Sequence, residues 1–141
     1  VEKEEGLMDM KLELVPVPVS DVDRAKAFYT EKLEFRLDVD REVEGVGRVV
    51  QLTPPGSACS IVIGLDIQTM TPGSTQGLLL VVSDIRAARA ELAGRGVEIG
   101  EVQHLDSGSW VAGAVDTPYE SFAQFTDPDG NGWSLQGVPA Q

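Results

Sequence analysis

The chain has a single cysteine, a single histidine, few aromatic residues (6%) and no apolar run long enough to cross a bilayer. Each shortage excludes something. One cysteine, Cys59, cannot form an internal disulfide; it precedes the apolar run Ile61-Val62-Ile63 without a basic neighbour, so it reads as a small packing residue rather than a nucleophile. Basic residues are also scarce, 11 against 23 acidic, and the net charge of −12 would repel nucleic acid and an anionic membrane rather than attract them. No charged-then-apolar leader pattern opens the sequence, so a cytoplasmic protein is the expectation. Phosphate-loop, hydrolase-elbow and zincin motifs are missing as well. What remains is 141 residues, 42% of them apolar, enough for one domain with a real core.

Inside that domain the chain repeats itself. Val19-Ser20-Asp21-Val22-Asp23-Arg24-Ala25-Lys26-Ala27 returns as Val82-Ser83-Asp84-Ile85-Arg86-Ala87-Ala88-Arg89-Ala90, with five of nine positions identical. A repeat of this size means one supersecondary unit used twice. In each copy an apolar run (Leu14 to Val19; Leu78 to Val82) reads as a strand and stops at Ser-Asp, whose side-chain oxygens suit a helix N-cap. Ser20 and Asp23 have capping-box spacing. Val22, Ala25, Tyr29 and Leu33 then share one helical face, as do Ile85, Ala88 and Leu92.

Taken in order, residues 1–10 read as an acidic tail, 11–70 as a first unit, 71–77 as a linker and 78–138 as a second unit. The first strand spans Lys11 to Val19, where Pro16 and Pro18 each remove a ladder donor and so place it on a sheet edge or limit its pairing to one side. Phe35 to Asp40, Arg48 to Leu52 and Ser60 to Leu65 follow as strands. In the second unit Val97 to Val102 reads as a strand, Gln103 to Glu120 as a long polar loop of the kind that serves as a lid or binding loop, and Ser121 to Phe125 and Trp133 to Val138 as closing strands. The expected class is α+β, with two tandem βαβββ modules forming a curved, cup-shaped mixed sheet and the helices outside.

The Val-Ser-Asp strand ends, the Ala-x-Ala-Phe-Tyr helix with Leu-x-Phe after it, and the closing Phe125-Thr126-Asp127-Pro128-Asp129-Gly130-Asn131-Gly132-Trp133 turn together resemble the vicinal oxygen chelate superfamily of glyoxalases, bleomycin-resistance proteins and extradiol dioxygenases. The resemblance implies a cup, usually within a homodimer, in which the enzymes bind a divalent metal. Carried over by motif, the ligand positions fall on Leu14, seven residues before Asp21; Gly77, seven before Asp84; Ser134, seven after Asp127; and Val62. None has an imidazole, thiolate or carboxylate, so no metal and no other cofactor is expected.

The remaining candidates follow from side-chain chemistry. Asp127-x-Asp129-x-Asn131-Gly132 matches half of a calcium loop, but position twelve is Val138, which favours a plain turn held by its own Asp side chains. His104 with Asp106, and Glu120 nearby, are the candidate acid or base groups. Leu14, Pro16, Val62 and Leu79 are the candidate apolar lining of a ligand site, Trp110 and Tyr119 either its flat walls or anchors of the loop to the sheet, and Gln124, Ser134 and Gln136 its neutral polar groups. The leading expectation is a metal-independent binder of an apolar or aromatic small molecule, sequestering it in a cup made with a second subunit. A metal-free isomerase, cyclase or epimerase is the alternative, leaving catalysis an open question, and a metal-dependent glyoxalase or dioxygenase comes third.

Overall fold

A computed structural model of the chain describes residues 6, 8–64 and 70–138. Most of the acidic tail, and Leu65 at the end of the expected fourth strand, lie outside the described residues. The first half runs β1 (Leu14–Pro16), α1 (Val22–Ala27), a wider π turn (Phe28–Lys32), β2 (Arg36–Val43), β3 (Gly47–Thr53) and β4 (Ser60–Ile63). The second half opens in the same way but carries four strands after its helix, one more than the expected βαβββ module: β5 (Leu78–Val82), α2 (Ile85–Gly94), β6 (Gln103–Asp106), β7 (Ser109–Ala112), β8 (Ser121–Thr126) and β9 (Gly132–Gly137). Two mixed sheets result, ordered β1-β4-β3-β2 and β5-β9-β8-β6-β7. In each, the strand before the helix runs parallel to the last strand of its half and the other pairs are antiparallel.

Both helices start where the repeat predicts, but Asp rather than Ser does the capping. The carboxylates of Asp21 and Asp84 accept from the backbone N–H of Arg24 and Ala87, each at 3.0 Å, which satisfies an otherwise free donor of the first turn. Ser20 turns outward and bonds Asp129, while Asp23 pairs with Arg48 at 2.7 Å, so the expected capping box does not form. The first strand is shorter than the sequence implies because Pro16 and Pro18 remove ladder donors around it.

Two differences reshape the second half. Val97 to Val102 is not a strand; it contributes only an isolated bridge between Ile99 and Phe125. The strand comes later, and the expected polar loop begins as the β6–β7 hairpin, turned by Ser107 (φ 52°) and Gly108 (φ 84°). Two consecutive left-handed residues match the right-handed twist of flanking strands, so Ser-Gly was a usable hairpin signal.

One continuous core joins the halves. It takes Val17, Ala25, Tyr29, Val50, Leu52, Ile61 and Ile63 from the first and Ile85, Leu92, Phe125, Trp133 and Leu135 from the second. Strand alternation therefore turns the intervening residues of each sheet to the face opposite this core. Val62, 2% exposed yet outside the core cluster, marks that second face on the first sheet.

Candidate functional site

Most of the sequence candidates lie on the sheet faces turned away from the core, and pairing register assigns their members. On the first sheet, Leu14 is opposite Ser60 and Pro16 is opposite Val62, which is in turn opposite Gln51. Leu14, Pro16 and Val62 thus form one apolar strip, bordered by the polar groups of Ser60 and Gln51. On the second sheet, Leu79 pairs with Ser134 and Val81 with Gln136, and these meet Gln124 and Phe122 on β8. The same face continues through Leu105 and Trp110 on the β6–β7 hairpin. Leu79, Val81, Leu105 and Trp110 are 51%, 57%, 51% and 47% exposed, a concentration of apolar surface of the sort that marks a binding face. Trp110 packs edge-on against Phe122 with ring centroids 5.6 Å apart, which holds the indole in place.

The sequence candidates are therefore spread over two faces. Gln124, Ser134 and Gly77 come together around a hollow of about 370 Å³ at one end of the second sheet. Gln136 sits on that face with Nε2 donating to the carbonyl of Tyr119 at 3.0 Å. Tyr119 itself is 56% exposed and lies in the left-handed region (φ 67°), its backbone N–H bonded to Gly137. A larger groove of about 700 Å³ follows the open edge of β5 between the halves; Leu79 is the one sequence candidate in it, beside Leu33, Phe35, Leu92 and Trp133.

His104 and Asp106 are not brought to these residues. His104 is opposite Ser121 and so shares the core side of the sheet, where its Nδ1 is 2.8 Å from the Gly113 carbonyl. Asp106 is exposed and accepts from the Ser107 hydroxyl rather than orienting the imidazole. Glu120 is exposed in the turn before β8. The missed signal is the hairpin register: placing β6 at Gln103 fixes which way the histidine looks.

The closing turn is held from within. Asp127 Oδ1 accepts from the backbone N–H of Asp129 and Asn131 at 3.0 and 2.9 Å, and Asn131 Nδ2 donates to Asp127 Oδ2 and to the Pro18 carbonyl, both at 2.8 Å. Those carboxylate oxygens are committed to the turn and to joining the halves. At the positions matched to the family's metal ligands, Leu14, Val62, Gly77 and Ser134 offer one hydroxyl oxygen among them, and among the described residues no three His, Cys, Asp or Glu side chains gather. That donor set does not fit a divalent cation.

The family model described as Glyoxalase/Bleomycin resistance protein/Dioxygenase superfamily matches residues 11–135. The chain belongs to this superfamily. Among solved structures similar to this superfamily member is TnmS3, an antibiotic binding protein from Streptomyces sp. CB03234, at 36% identity over 94% of this chain and 98% of that one, with a TM-score of 0.76. A glyoxalase/bleomycin resistance protein from Streptomyces sp. CB03234 is 38% identical over 89% of this chain and 99% of that one, with a TM-score of 0.71. An uncharacterized protein of Bacillus subtilis (strain 168), YetH, is 29% identical over 86% of this chain and 93% of its own length. Among the described residues no helix is long and apolar enough to cross a membrane.

Proposed function

We propose that this superfamily member binds an apolar or aromatic, antibiotic-like small molecule without a metal, and that a second copy of the chain completes the hollow. The observation carrying this reading is that Leu14, Val62, Gly77 and Ser134 stand at the matched ligand positions, beside apolar side chains and neutral polar groups such as Pro16, Leu79, Gln51 and Gln136. Such a surface orients an uncharged ring system by a few hydrogen bonds and gains most of its affinity from apolar contact. The likeness to an antibiotic binding protein over nearly the whole chain supports the same reading. Sequestration needs only tight binding, and the placement of His104 on the core side of its sheet speaks against acid-base chemistry at these faces.

Titration with a panel of aromatic antibiotics, followed by tryptophan fluorescence in the presence of EDTA, tests the proposal. Saturable binding unaffected by the chelator is the expected result. Stoichiometric zinc, nickel, iron or manganese in protein purified without chelator would overturn metal independence.

A further inference from the structure

Five side chains from three strands form a directed hydrogen-bond chain on the coreless face of the first sheet. Arg36 Nε donates to Asp38 Oδ1 at 2.6 Å, the Thr53 hydroxyl bonds Asp38 Oδ2, Thr53 Oγ1 and Ser60 Oγ are 2.7 Å apart, and Gln51 Nε2 lies 3.2 Å from Ser60 Oγ. Thr53 and Ser60 are 2% and 5% exposed, so water is excluded from the middle links.

The direction of this chain is forced. The Arg36 guanidinium, then the Thr53 hydroxyl, hold the Asp38 carboxyl below the usual carboxylate range, so Asp38 is an acceptor only. Thr53 has one hydrogen and gives it to Asp38. Its lone pairs are all it can show Ser60, which must therefore donate to Thr53. Ser60 in turn has only lone pairs left, and these require a donor. An amide flipped the other way would set the Gln51 carbonyl oxygen against the Ser60 oxygen with no hydrogen between them. Gln51 thus turns Nε2 to Ser60 and keeps Oε1 free. Gln51 is part-exposed, and among the described residues no side chain donates to its Oε1, on the face it shares with Leu14, Pro16 and Val62.

We propose that the Asp38–Thr53–Ser60 chain is a positioning device that fixes Gln51 as a hydrogen-bond acceptor, selecting ligands that carry a hydroxyl or N–H donor on an otherwise apolar ring system. This specificity rests on the proposed small-molecule binding and adds the ligand chemistry that the first sheet reads. A free glutamine would present either end of its amide; the chain commits one Nε2 hydrogen to Ser60 and sets Oε1 in place to accept, which favours ligands that donate.

The test compares 2-naphthol with 2-methoxynaphthalene, which has the same ring and an oxygen that cannot donate, by fluorescence titration. Wild type should bind 2-naphthol about tenfold more tightly, and Gln51→Leu should bind the two alike. Thr53→Val keeps Gln51 and the shape of the sheet but cuts the chain, so it too should lose the discrimination. Equal binding of both probes by wild type overturns the proposal while leaving small-molecule binding intact. Binding of neither probe overturns the donor-selecting role of Gln51, and the antibiotic panel separately decides small-molecule binding. Where Thr53→Val does not fold, the side-chain amide of Gln51 in the wild-type NMR spectrum decides: one proton protected from exchange is expected, and two equally unprotected protons would refute the fixed orientation.

Discussion

Tyr29 is where the two halves converge. Its ring stacks on Phe35 at 5.5 Å and lies 5.8 Å from Trp133, while its hydroxyl donates to Asp127 Oδ2 at 2.8 Å and accepts from Trp133 Nε1 at 3.0 Å. Removing that oxygen strands a buried indole N–H and leaves a buried carboxylate one donor short. Tyr29→Phe should therefore lose about 1–3 kcal/mol in urea unfolding despite keeping the ring. Burial first, and the neighbouring Asp127 second, push the phenol well above its ordinary value. A folded-state value raised above the unfolded one means the contribution is complete below about pH 10 and is lost as pH rises beyond it. Stability should fall from about pH 10 upward in wild type and more weakly in Tyr29→Phe, read by unfolding midpoints across that range.

At the scale of elements, the segment before β5 is clasped against the closing turn. Gly73 N–H donates to the Pro18 carbonyl at 3.1 Å, Thr75 N–H to Asn131 Oδ1 at 3.0 Å, and Gly132 N–H to the Thr75 carbonyl at 2.8 Å. Gly73 has φ 83°, and a Cβ there would lie 2.1 Å from the Asp129 carbonyl oxygen. Backbone cannot swing aside as a side chain can, so Gly73→Ala should cost about 1–3 kcal/mol or more and lower the melting temperature measured by circular dichroism. A second clasp ties α1 to β2 and β3 through Asp40, which accepts from Lys26 at 2.6 Å and from Arg48 at 3.0 and 3.1 Å. Arg48, then Lys26, hold the Asp40 carboxyl far below the usual range. Stability from a depressed carboxylate is present above about pH 4 and lost as pH falls through its folded value, so Asp40→Asn should flatten the acid limb of an unfolding curve.

At the scale of the whole molecule, the single core leaves the far face of the second sheet open among the described residues. Leu79 and Val81 are more than half exposed on an edge strand, a costly arrangement for a chain on its own. On the proposed reading a second copy covers this region. Sedimentation should then give a dimer, and Leu79→Lys with Val81→Lys should shift it to monomer without altering the circular dichroism spectrum. Trp110→Ala should weaken aromatic ligands about fivefold or more in the same titration that tests binding, because it removes a pre-set flat wall.

What the sequence determined by itself is local and periodic. The doubled Val-Ser-Asp segment announced two equivalent strand–helix units, because a carboxylate can cap a helix only from the residues beside it, and Asp21 and Asp84 do so. The Asp127–Asn131 turn was legible for the same reason. Only tertiary structure decided what depends on register. Ser20 left the cap it could have made for Asp129, far along the chain. His104 faces the core because β6 begins at Gln103 and pairs with β8. The irregularity between Leu37 and Val39 resets the alternation of β2, and Asp38 thereby meets Thr53 and starts the chain that ends at Gln51. A shift of one residue exchanges the two faces of a strand, and no neighbour in sequence records which face the rest of the molecule will claim.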